Sequence, residues 1–192
     1  MDDGMNSAVM KFLLERRSVS HKTLIAPPPD GEALGLILEA GARVPDHKML
    51  EPFRFVVLER GALDRMADVV EARGRDLGLD EDKVAKARFS FANAPLSVAV
   101  VASLVDTDMI PEVEQTLAVG ACCLSVLNAA LAAGWGANWI TGWAAFDPVV
   151  LAEMSVQDGE YVAGFMHMGT IKTQPSERKR PDLEAKVTWL SS

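Results

Sequence analysis

Residues 117–133 read LAVGACCLSVLNAALAA, residues 134–142 read GWGANWITG, and no charged residue occurs between Gln115 and Phe146. Leu117, Ala121, Leu124, Leu127, Ala130 and Leu131 recur at helical spacing, with Ala and Gly on most other faces. A helix that is apolar nearly all round is buried on every side or spans a bilayer. Spanning takes about 20 predominantly apolar residues. This segment is rich in small residues, carries Ser125 and Asn128, has Glu112 and Glu114 on its N-terminal flank and no Lys/Arg cluster after it. The expectation is a central core helix packed against its copy in a second subunit. Gly134 and Gly136 break it, and Asn138 to Gly142 reads as an aromatic, hydroxyl-bearing loop that meets a planar ligand.

The rest of the chain must build around that helix. Its 192 residues suit one domain, residues 1–192, and 49% hydrophobic residues supply a core. A formal net charge of −8 argues against a nucleic-acid binder, which needs a basic patch. The opening MDDGMNSAVM has neither a basic n-region nor a long apolar h-region, so a soluble cytoplasmic protein is expected. Cys122 and Cys123 are neighbours within the apolar helix and read as small core side chains. No HExxH, CxxC or paired-carboxylate spacing appears, and no metal is expected.

Upstream, Ser7 to Glu15 reads as a helix with Val9, Phe12 and Leu13 on one face, ending in Arg16-Arg17-Ser18. The arginine pair is either a device that opposes the helix dipole or an anion clamp. Ile25 to Pro29 reads as a proline-stiffened linker, and Asp30 as the N-cap of a second helix with Leu34, Ile37, Leu38 and Ala42 apolar. Pro45 ends it in a turn, Arg43-Val44-Pro45-Asp46-His47-Lys48, whose polar residues suit either function or plain solvation. Phe53 to Leu58 alternates as a strand; Leu63 to Arg88 reads as two surface helices broken at Gly78. Pro95 to Val105 is a strand buried on both faces. Downstream, Asp147-Pro148 starts a short helix, and Tyr161 to Met168 is another strand. The order is helix–helix–strand–helices–strand–helix–strand–helix–strand, which favours an α+β layer structure over a doubly wound parallel sheet.

Gly134-Trp135-Gly136-Ala137-Asn138-Trp139 nearly matches a dinucleotide-binding turn, but it follows a helix and has Trp in the sixth position, so that reading fails. What remains is scattered: arginines at 16, 17, 43, 178 and 180, and the uncharged stretch at 138–142. Such parts suit a planar, phosphate-bearing group.

Arg16-Arg17-Ser18, the AGARVPDHK run at 40–48 with Pro52-Phe53 behind it, the 134–142 stretch, Gly169-Thr170 and Arg178-Lys179-Arg180-Pro181 together resemble the FMN-dependent nitroreductase family, most closely its short bacterial members. The resemblance implies an α+β fold with a central mixed or antiparallel sheet flanked by helices. It implies a homodimer joined through long central helices, with FMN in clefts at the interface. Carried over by position, Arg16, Arg17 and Ser18 contact FMN. Arg43 and His47 line the site from the partner subunit. Trp139, Ile140, Thr141 and Gly142 run past the ring, and Arg178 or Arg180 reaches the phosphate. Ser20 and Phe53 depart from the family pattern, where a basic residue and Trp are common. The implied activity is hydride transfer from NAD(P)H through FMN to an electron-poor acceptor such as a nitroaromatic or quinone. No catalytic side chain is assigned, because the flavin carries the chemistry. The alternative is a flavin-binding storage or electron-transfer protein without turnover.

Overall fold

The computed structural model describes residues 6–191. Among the described residues six α-helices surround one sheet: α1 Ser7–Glu15, α2 Gly31–Gly41, α3 Arg60–Asp76, α4 Glu81–Asn93, α5 Glu112–Ala132 and α6 Pro148–Ala152. The strands are β1 Leu24–Ile25, β2 Phe53–Leu58, β3 Leu96–Ala102, β4 Gly136–Ile140 and β5 Tyr161–Ile171. Every pairing is antiparallel, so of the mixed and antiparallel alternatives the sheet takes the second. The order is β1-β5-β3-β2, and β4 also pairs with β5. The last strand is thus the partner of three others.

Local chemistry explains most of these elements. Asn6, Asp30 and Asp147 each accept a backbone N–H at the start of α1, α2 and α6, the usual work of a short polar N-cap. All seven residues of β3 are buried, because helices cover both faces of the sheet. On one face Ala99, Val101, Val162 and Phe165 pack against Leu63, Met66 and Val70 of α3 and Phe91 of α4. On the other, Val98, Val100, Met166 and Met168 pack against Ile37 of α2 and Val119, Cys122, Cys123 and Val126 of α5. The helices over 60–93 are therefore half core, not merely a solvated layer. At Gly41 a Cβ would lie 2.3 Å from a methyl of Val126, so glycine is what lets α2 seat on α5.

Two expectations need correction. Leu24 and Ile25 pair with Thr170 and Ile171, so the supposed linker begins as a strand. Asn138, Trp139 and Ile140 belong to β4, not to a loop; only Thr141 and Gly142 lie beyond it. Gly and Asn are poor strand formers, and pairing with the long β5 overrides that preference.

The central helix is α5, 21 residues or about 30 Å long. Among the described residues it is the one helix long and apolar enough to cross a bilayer. One side is in the core; Val113, Leu117 and Leu124, spaced along the other, are 62%, 67% and 46% exposed in the single protomer. It is not buried all round by its own chain.

Candidate functional site

Residues 16–22 link two concavities. Arg16 ends α1 with extended backbone (φ −56°, ψ 139°), and Val19 N donates to Ala137 O, laying the segment beside β4. Seven residues of extended chain span at most about 25 Å.

At one end is an open groove of about 770 Å³, lined by Phe12, Arg16, Arg17, Leu131, Trp135 and Glu177 among others. Arg17 donates to Ser176 O and lies 3.6 Å from Glu177, which also pairs with Arg180 at 3.0 Å. Arg16 donates from Nη2 to Ser18 Oγ, but its buried Nε has no partner among the described residues. Burial, then the neighbouring Arg180 and Arg17, lowers the Arg16 pKa. Two guanidinium groups, Arg17 and Arg180, thus share the Glu177 carboxylate, and a third, Arg16, lies close enough to feel both. Such a cluster is short of negative charge, and forked donors suit the oxygens of a phosphate. Arg180 belongs to this cluster. Arg178 makes no side-chain ion pair among the described residues.

At the other end is a cavity of about 760 Å³ between α4 and the β4–β5 pair, with Ile140, Thr141 and Gly142 on its wall. Phe89, Phe91, Trp143 and Phe165 give the lining its aromatic part, and Lys22, Asp82, Lys83 and Lys86 stand at its edge. The cavity also contains residues that sequence reasoning missed. His21 and Ser90 line it, and Ser90 Oγ lies 2.9 Å from Nε2 of His167. His167 faces Asn138 across the β4–β5 ladder. Burial drives the His167 pKa down to about 3 and, more mildly with Lys22, lowers that of His21. These residues lie far apart in sequence; the one signal was a histidine inside an apolar strand.

Trp139 lines neither concavity. Its indole N–H donates to Ala163 O at 3.1 Å and it is 39% exposed. It lies over Gly164, where a Cβ would come 2.1 Å from Trp139 Nε1. The short helix that follows Gly142 is anchored from behind, because Asp147 caps α6 and receives Arg73 Nε at 3.0 Å.

Arg43 and His47 do not join either concavity within the protomer. His47 Nδ1 is 2.8 Å from Glu114 in the first turn of α5, whereas the groove abuts Leu131 at the last turn. Seventeen residues of helix separate those ends by about 26 Å.

A model of the Nitroreductase family matches residues 13–170. The "Putative NAD(P)H nitroreductase YdjA" of Escherichia coli K12 is 34% identical over 182 residues, covering 94% of this chain and 98% of that protein. The fold is similar to a nitroreductase-like family protein from Bacillus cereus, with a TM-score of 0.81, 20% identity and 98% of each chain covered. It is also similar to a nitroreductase with bound FMN from Bacteroides fragilis, with a TM-score of 0.74, 20% identity and coverage of 97% of this chain and 100% of that one.

Proposed function

The chain belongs to the nitroreductase family, and from that premise we propose that it is a homodimeric, NAD(P)H-dependent FMN oxidoreductase that reduces an electron-poor acceptor, a nitroaromatic or a quinone, in ping-pong order. The observation that carries the reading is the Arg16–Arg17–Arg180 cluster, with a buried guanidinium nitrogen left unpartnered. A phosphate dianion fits that donor set and relieves the mutual repulsion of the arginines. The aromatic cavity at the other end of residues 16–22 has the shape and lining for a ring system. When bound, FMN supplies the centre that takes and gives hydride.

The chain's own residues hold and shield that group. Arg16, Arg17, Ser18 and Arg180 grip its phosphate end. Ile140, Thr141 and Gly142 flank the ring, with Trp139 beside them. NAD(P)H is the donor by the name of the Escherichia coli relative, and FMN is the group bound in the Bacteroides fragilis protein.

The dimer follows from α5. Its exposed stripe of Val113, Leu117 and Leu124 suits a second copy of itself. An antiparallel two-fold pairing sets the N-terminal end of one α5 beside the C-terminal end of the other. It thereby brings the partner subunit's Arg43 and His47 toward the groove that this protomer's own pair cannot reach.

The test is an absorbance spectrum followed by anaerobic addition of NADH or NADPH. A yellow protein that bleaches within turnover time is expected. A colourless protein that takes up no FMN ends the proposal, and a yellow one that neither nucleotide bleaches is a flavin store or electron carrier instead.

A further inference from the structure

Two neutral polar side chains line the cavity, Ser90 and His21, and His167 lies behind the first. His167 is fully buried and its Nδ1 has no partner among the described residues. Burial keeps its ring neutral, so it carries a single proton. On Nδ1 that proton would be a buried donor without an acceptor; on Nε2 it is donated to Ser90 Oγ at 2.9 Å. The second tautomer is the less costly. Ser90 Oγ makes no other hydrogen bond among the described residues, so its own proton is free to turn toward the cavity it lines.

His21 shows the same pattern. Its Nδ1 lies 3.5 Å from Asn138 Nδ2, and Asn138 is buried in β4. An amide N–H donated there leaves the imidazole proton on Nε2. The ring is neutral for the reasons given above. Two side chains from different parts of the chain, Ser90 and His21, thus have protons to offer to a space lined by Phe89, Phe91, Ile140 and Phe165, with the charged side chains at its edge.

We propose that Ser90 and His21 form a donor pair that binds the carbonyl or nitro oxygens on the edge of a planar ring in this cavity, and that His167 is the residue that positions Ser90. The inference deepens the flavin-enzyme reading and rests on it. A ring edge bearing N–H groups in place of those oxygens sets donors against donors and is rejected. The shared chemistry has two sources, the ring carbonyls of the flavin itself and the oxygens of the acceptor it reduces.

The experiment uses the full-length protein with Ser90→Ala, His21→Leu, His167→Phe and the conservative Ser90→Thr. FMN dissociation constants, flavin midpoint potential, and KM and kcat for a quinone and a nitroaromatic are measured, together with the infrared stretch of a ¹³C-labelled ring carbonyl. If the flavin is the ligand, Ser90→Ala and His21→Leu each weaken FMN about threefold to tenfold. They also lower the midpoint potential and move the carbonyl stretch to higher frequency. If the acceptor is the ligand, FMN affinity holds while KM for both acceptors rises by a similar factor and kcat is kept. In either arm His167→Phe moves the same quantity part of the way and Ser90→Thr restores it. Unchanged FMN affinity, potential, stretch and KM in properly folded Ser90→Ala and His21→Leu overturn the donor pair. A wild-type protein that takes up no FMN overturns the enzyme reading instead, and the donor pair is then judged by binding of the quinone alone.

Discussion

The groove at the end of α1 and the cavity under α4 are joined by the same seven residues, yet they hold by opposite means. The groove is open, and its arginines stay charged at any working pH. The cavity is mostly apolar, with aromatic rings in its wall and charged side chains at its edge. A phosphate needs charge but little shape, and a ring needs shape but little charge. On the proposed reading, one ligand that carries both would span the two surfaces that this short segment connects.

The sharpest way to break that contrast is the double substitution Arg16→Ala with Arg17→Ala. Each lost charge-assisted contact costs about 1.5–3 kcal/mol, so FMN binding should fall by at least about a hundredfold. Riboflavin, which lacks the phosphate, should lose little, and the dimer should survive on a sizing column. Equal losses for both ligands would mean that the groove is not a phosphate site.

The second test is pH. His167 has a folded pKa of about 3 against an ordinary 6.5, so the unfolded chain binds a proton that the folded one refuses. The stability this group provides is whole above pH 6.5 and is lost downward through about pH 3. The expected slope is about 1.4 kcal/mol per pH unit, or roughly 2 kcal/mol between pH 6.5 and 5. Denaturant midpoints of wild type and His167→Asn across that range check it: the variant's curve should be flatter, and parallel curves would discard the assignment.

A third prediction concerns the strand between the two regions. Gly164→Ala pushes a methyl against the Trp139 indole. Because that side chain is partly exposed and can swing, the cost should be about 1–2 kcal/mol, at the lower end of overpacking penalties. Tryptophan fluorescence should report the displaced ring, and flavin affinity should drop several-fold. The smallest effect separates the two tail arginines: Arg180→Ala should weaken FMN about tenfold and Arg178→Ala less than threefold, by fluorescence titration.

These contrasts also show what could be read in advance. The groove was legible because charge is explicit: an arginine pair after a helix, and a basic cluster far downstream, are visible without a fold. Asp30 before an amphipathic run located α2, and an unbroken apolar run located β3. The cavity was legible only in part: the stretch Ile140 to Gly142 was read as facing a ring, but Ser90, His21 and His167 mean little until β4 and α4 are laid against β5. Strand β4 itself was hidden by Gly136 and Asn138, whose preferences point to a turn. Strand β1 was hidden by its brevity and by the prolines after it. In both cases the partner strand decides, and nothing local announces it.

The sheet has a further consequence for how the protein is born. Strand β5 joins β1, β3 and β4, and a ribosome makes it after all of them. Until then β2 and β3 can zip as a long-looped pair, but β3 keeps one raw edge and β1 and β4 have no strand to join. Neither wall of the cavity can stand before that final strand arrives. The nascent chain therefore carries an incomplete sheet until late in synthesis, and the cavity is complete only once β5 has been made.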